Sequence, residues 1–253
     1  MATNPEAKDN NAAFDVTTEG AERVEIKVTV LDAQEAQAAK ALALDWAKAE
    51  ARSIFFFDTP GLDLYKAGVV LRARQIEGGS NDSTVKIRPI DPAAVDPAWF
   101  EAEGFKLEAD AVGEKVVRSA SLTAAQGKDE VQQVAWRKRP ISKLFSSEQE
   151  RFLAAFHREP VDLDGLAVLG PILVLREDVQ PAGMTYKVTA EGWRLPDGTD
   201  LVELSIKCPR GEAAVARKIF EGYIVGLGLD PRGAQETKTR RALTSFAERL
   251  KAG

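Results

Sequence analysis

The sequence predicts an α+β fold built on a mostly antiparallel, closed or nearly closed sheet with flanking helices. Three observations carry that expectation. About seven or eight short runs read as strands, with helices between and after them. Almost every run has one apolar face and one ionisable face: Arg23/Glu25/Lys27, Arg72/Arg74, Lys86/Arg88, Lys106/Glu108/Asp110 and Glu203/Ser205/Lys207. One such strand by itself is ordinary for a surface sheet. A whole set, whose apolar alternates need covering by the available helices, places the ionisable faces inward around a water-filled bore.

The elements follow in chain order. Residues 1–20 are polar and without period and read as a flexible tail, leaving 21–253 as one domain. "RVEIKVTV" alternates as a strand. Residues 33–51, rich in Ala, Leu, Glu and Lys, predict a helix. "SIFFFDTP" is an apolar strand entering a Pro-Gly turn, and "GVVLRARQ" and "STVKIRPI" form a hairpin across a Gly/Ser/Asn turn. Residues 91–100 hold several prolines and read as a loop. "GFKLEADAV" alternates again, 121–137 predicts a helix, and "RKRPISK" a basic turn. Ser146 followed by Gln149 is a capping-box signature. "AVLGPILVLRED", "MTYKVTAEGWRL" and "DLVELSIKC" read as strands, the last two joined by a turn at Pro196 to Gly198. "EAAVARKIFEGYIVGLGL" is an amphipathic helix that stops at glycine. "ETKTRRALTSFAERLKA" is a second helix, or a short strand turning into one.

Bulk properties narrow the function. The 253 residues carry a net charge of -5 and a pI near 5.2, which argues against binding nucleic acid through overall charge. A single cysteine, Cys208, permits no intramolecular disulfide and suggests a reducing compartment. One Cys and one His, His157, do not make a structural zinc site. No run approaches a membrane span and the first residues show no signal pattern, so a cytoplasmic location with no membrane partner is expected. His157 reads as a surface or boundary residue, Cys208 as small core, and Arg137 to Pro140 as a solvated turn. Gly226 and Gly228 do not follow a strand as a dinucleotide site requires. Oligomeric state is not legible.

Cations converging from several strands repel one another unless an anion lies among them. Arginine offers a planar fork to phosphate oxygens and lysine a compact point charge. A triphosphate matches such rows, and carboxylates beside it would hold Mg²⁺ or Mn²⁺, hard ions that prefer oxygen ligands.

At these residues the chain resembles the CYTH superfamily, the triphosphate tunnel metalloenzymes, which includes class IV adenylate cyclases and thiamine and inorganic triphosphatases. The resemblance rests on "VEIK", "FFDTPGLDLYKAGVVLRAR", "STVKIRP", "LVELSIK" and "ETKTRRAL", in order over nearly the whole chain after the tail. It implies an eight-stranded, mostly antiparallel closed tunnel (a barrel) with flanking helices, and phosphate-binding roles for Lys27, Arg72, Arg74, Lys86, Arg88, Arg176 and Lys238, with Lys207 adding a further cation. Lys27, Arg72 and Arg74 would be the catalytic cations. It implies metal ligands at Glu25 and Glu203, helped by Glu108 or Glu191. The family's Glu-x-Glu-x-Lys appears here as Arg23, Glu25 and Lys27, and its late carboxylate pair as Glu203 and Ser205, so two acids are replaced. The expected activity is metal-dependent hydrolysis of a triphosphate, such as inorganic tripolyphosphate. A tunnel that binds polyphosphate or nucleotide without cleaving it, and an adenylate cyclase-like activity, stay open.

Overall fold

The computed structural model describes residues 18–31, 34–231 and 235–252. The expected tail falls largely outside these residues. Its last part, Thr18 to Gly20, packs onto the domain: Thr18 is fully buried and its carbonyl accepts from the Ala21 N–H at 3.1 Å.

Nine strands close into one barrel in the order β1-β5-β6-β4-β3-β2-β7-β8-β9. They are β1 (Arg23–Leu31), β2 (Glu50–Asp58), β3 (Val69–Ile76), β4 (Asn81–Ile87), β5 (Phe105–Val112), β6 (Lys115–Gln126), β7 (Ala167–Val179), β8 (Val188–Arg194) and β9 (Asp200–Pro209). β1 and β5 pair in parallel and the other neighbours antiparallel. The closed tunnel is as expected, with one strand more than the expected eight. The extra strand is β6, which occupies part of the segment read as a helix at 121–137. The helix found there, α3 (Glu130–Ala135), is short. In "SASLTAAQ" small residues hide the alternation, yet Ala120 and Leu122 face the outer core while Ser119 and Ser121 turn the other way, level with Glu108 and Lys106 of β5.

Helix α1 (Glu35–Ala41) is also shorter than the propensity of 33–51 suggests. Ala43 adopts a left-handed φ of 50°. Leu44 and Trp46 then pack onto the barrel, and β2 begins at Glu50. Tertiary contact overrides a weak local preference here. The proline-rich 91–100 segment holds two short 3₁₀ turns, whose starts Asp91 and Asp96 cap by accepting from Ala93 and Ala98 N–H.

Apolar faces point outward under helices, as the alternation requires. Val24, Ile26 and Val28 pack beneath α5 (Ala213–Gly226) through Ala216, Phe220 and Ile224. Phe55, Phe57, Leu71 and Leu107 pack beneath α3 and α4 (Ser147–Phe156). The expected capping box at α4 is present, and Gln149 goes further: its Nε2 donates to the Ser83 and Leu122 carbonyls, gluing the helix to β4 and β6. The Asp-Thr-Pro motif has a local role. The Asp58 carboxylate accepts from the N–H groups of Thr59, Leu64 and Tyr65, which folds the chain into α2 (Asp63–Lys66). Burial still pushes Asp58 above the usual carboxylate value.

The run "SIFFFD" is apolar on both faces because both are buried. Ile54 and Phe56 point inward and join Val70, Ile172, Trp193 and Leu201. Into this inner cluster the last helix, α6 (Lys238–Ala252), inserts Ala242, Leu243 and Ala247. α6 therefore fills one end of the bore. Among the described residues no helix is long and apolar enough to cross a membrane.

Candidate functional site

The register places the ionisable faces together inside the barrel. Glu25 lies level with Asp110 of β5 and Lys207 of β9, and Arg72 with Thr84 of β4. Glu191 of β8 lies between Arg176 of β7 and Glu203 of β9. The bore contains three connected groups.

In the first, the Lys27 ammonium sits between two carboxylates, 2.7 Å from Asp110 and 3.1 Å from Glu25. Lys86 reaches the other Asp110 oxygen at 2.8 Å. Ser205 Oγ donates to Glu25 at 3.2 Å, and Lys207 stands 3.3 Å from Glu108 and 3.9 Å from Glu25 at the mouth. Burial alone would raise Asp110 and Glu25. Lys27, with Lys86 for Asp110 and Lys207 for Glu25, outweighs it and holds both carboxyls below their ordinary range. Burial would likewise lower Lys27, but Asp110, Glu25 and Glu203 hold it well above its usual value. Lys86 goes the other way: burial, aided by Lys27 and Arg88, outweighs Asp110 and lowers it.

In the second group the Lys238 ammonium, at the start of α6, lies between Glu203, at 2.7 Å, and Glu191. Arg52 and the Trp193 indole N–H also approach Glu191, at 3.7 and 3.2 Å. These cations outweigh burial and depress Glu191 strongly, while Glu191 and Glu203 raise Lys238 against the cost of burial. The Gln235 side chain fixes the approach to α6 by donating to the Thr29 carbonyl and accepting from its N–H.

The third group contains the arginines. Arg74 makes a forked ion pair with Asp82 of β4. Arg176 pairs with Asp178 at 2.6 Å, and Arg88 stacks over Tyr65, 5.9 Å from its ring centroid. Arg72 differs. Its Nε is sealed from solvent without a hydrogen-bond partner, its Nη2 makes a long 3.5 Å bond to Thr84 Oγ1, and among the described residues no carboxylate lies within ion-pair distance of it. Burial and the neighbouring Arg74 push its guanidinium down to about 10.

The structure thus brings Lys27, Lys86, Glu25, Lys207 and Glu108 into one network, and Lys238, Glu191 and Glu203 into another. Arg23, in the missing glutamate's position, is exposed. Sequence reasoning passed over Arg52, Asp82 and Asp178 and gave Asp110 no role. Arg52 and Asp82 lie where strands were expected to begin later, and alternation extended by one residue pair would have caught both. Asp110 is the acid that ties Lys27 to Lys86.

A divalent ion does not fit this arrangement as it stands. Glu25, Glu108, Glu191 and Glu203 are all paired with lysine, and among the described residues no three Asp, Glu, His or Cys are grouped to hold a metal. The carboxylates of the bore are neutralised by its own ammonium groups.

No protein-family model matches the chain, and no curated protein matches it in sequence. Solved structures do match. HpAC1 from Hippeastrum, a candidate adenylyl cyclase described as having a dominant triphosphatase activity, superimposes with a TM-score of 0.61 at 18% identity, covering 85% of this chain and 92% of that one. A candidate adenylate cyclase from Bacillus halodurans gives 0.59 at 15% identity, covering 87% and 98%. The chain has the tunnel fold of these proteins, as its motifs led one to expect.

Proposed function

We propose that this chain, acting as a single domain over 21–253, takes up a triphosphate in the bore. Inorganic tripolyphosphate or an organic triphosphate would lie along Lys27, Arg72, Arg74, Lys86, Arg88, Arg176 and Lys238, with Lys207 at the mouth. The observation that carries this reading is Arg72. An enclosed cation without an acidic partner is costly, and beside Arg74 the cost is relieved by a polyvalent anion. The forked donors of arginine suit phosphate oxygens. The fold shared with a protein described as a triphosphatase supports the same substrate class.

Hydrolysis is the activity proposed for the bound triphosphate. Mg²⁺ or Mn²⁺, when bound, would polarise the phosphate and orient water, with Glu25, Glu203, Glu108 and Glu191 as the oxygen donors. Lysines hold all four of these carboxylates in the structure. This pairing, with Arg23 and Ser205 in place of acids, favours as a second reading capture without turnover. One panel separates the readings: calorimetric binding and phosphate release with tripolyphosphate, ATP and thiamine triphosphate, with and without Mg²⁺ or Mn²⁺. Release supports the triphosphatase, binding without release the capture module, and cyclic AMP formation a cyclase. No binding of any of the three refutes the proposal.

A further inference from the structure

Outside the bore, the turn that follows α3 concentrates charge of one sign. From residue 131 to 147 the chain holds Arg137, Lys138, Arg139 and Lys143 and no acid, in a protein of net charge -5. The turn is fixed to the domain. Ile141 and Leu144 are buried, the Lys138 N–H donates to the Gln133 carbonyl at 2.8 Å, and Arg139 pairs with Glu130 at 2.8 Å. Arg137, Lys138 and Lys143 are exposed, and among the described residues none of the three forms an ion pair. Asp164 beside them accepts from the Ser142 N–H and hydroxyl instead. At the head of the turn stands Trp136, 60% exposed, with the Lys138 ammonium over its ring, 5.0 Å from the centroid. Tryptophan ordinarily contributes its large apolar area to a core; here it is left in water. Arg137 then takes a left-handed φ of 56°, its N–H donating to the Val134 carbonyl at 2.9 Å, at the helix-ending position that glycine fills without strain. An exposed indole, a strained arginine and unpaired neighbouring cations each cost stability, and nothing within the fold offsets them.

We infer that the turn from Trp136 to Lys143 docks a short acidic segment of a partner protein. An apolar side chain of that segment lies on Trp136, and its carboxylates meet Arg137, Lys138 and Lys143. Tryptophan and arginine are among the residue types that carry most of the binding energy at protein interfaces. Unpaired cations on a fixed turn complement carboxylates, which arginine grips as a fork. Other anionic partners fit this surface less well. Single-stranded nucleic acid is held by successive stacking rings along a basic groove, whereas Ile141, Leu144 and Phe145 are buried and leave Trp136 as the turn's single large exposed apolar side chain. A membrane surface takes up a whole apolar face, which one indole does not provide. Val131 and Val134 of α3 pack into the outer core, so the turn lies apart from the bore and its partner is independent of any triphosphate.

Fluorescence anisotropy tests this on the full chain, with a labelled decapeptide of Asp and Glu around one central leucine. Wild-type protein is expected to bind the peptide saturably, more weakly as salt is raised, and equally well with excess tripolyphosphate present. Trp136→Ala and Lys138→Ala should each weaken binding about tenfold. Arg137→Gly separates docking from folding. Glycine takes the left-handed backbone freely, so the melting temperature of this variant should rise while its peptide binding weakens about tenfold. Failure of the wild type to bind the peptide, or binding that Trp136→Ala and Arg137→Gly leave unchanged, overturns the inference. Displacement of the peptide by tripolyphosphate would place it in the bore, with the same consequence. Tighter binding of oligothymidylate, or of vesicles of phosphatidylserine and phosphatidylcholine, that is lost in Trp136→Ala would give the turn to another class of partner and overturn the assignment to an acidic protein segment.

Discussion

Replacing Arg72 with methionine separates an anion-binding arginine from a structural one. Its guanidinium Nε is sealed from solvent and, among the described residues, no carboxylate forms an ion pair with the group; the drop from its ordinary value to about 10 corresponds to about 3 kcal/mol against the charged form. Methionine fills much of the same space without the charge. Without phosphate, Arg72→Met is therefore expected to be more stable than wild type, by at most about 3 kcal/mol, or ~6–12 °C in melting temperature for a chain of this size. With tripolyphosphate the order reverses. A lost charge-assisted contact of about 1.5–3 kcal/mol weakens binding about 10- to 150-fold. Thermal denaturation and calorimetry, each with and without tripolyphosphate, measure both halves. A variant less stable than wild type in the absence of phosphate, and equally stabilised by it, would refute the reasoning, since Arg72 would then be held by partners within the fold.

Two further outcomes follow from the same networks. Asp110 and Glu25 are held low, so their contribution to stability is full above the unfolded value of about 4 and is lost as pH falls through the folded one. Lys27 and Lys238 are held high, so theirs is full below about 10.4 and is lost as pH rises through the folded value. Urea midpoints should be level from about pH 5 to 9 and fall on the acid side, with a lower plateau and shallower acid decline in Asp110→Asn; a wild-type midpoint that climbs on acidification contradicts this. Gln149→Leu removes the capping box and the donors to two strand carbonyls, and should cost about 3 kcal/mol in denaturant titrations. Gln149 lies on the outer side of the barrel wall, so tripolyphosphate affinity should not change.

Much of the architecture could be read from local pattern. Alternation alone marked β1, β3, β4, β5 and β9, because side chains on a strand change sides at every residue. Ser146 and Gln149 announced the start of α4, since a capping box is complete within four residues. Where the local signal was thin it misled. The small side chains of β6 resembled a helix, and the Ala-rich segment around α1 promised more helix than the packing of Trp46 permits.

The sequence by itself determined which residues carry charge and that they share strand faces, since both are properties of near neighbours in the chain. Only the tertiary structure decided which charges cancel. Lys27 meets Asp110 83 residues away, Lys238 meets Glu191 47 residues away, and Arg72 is left without an ion pair among the described residues. Those pairings depend on barrel closure, strand register and the insertion of α6, which join distant segments and leave no period in the sequence.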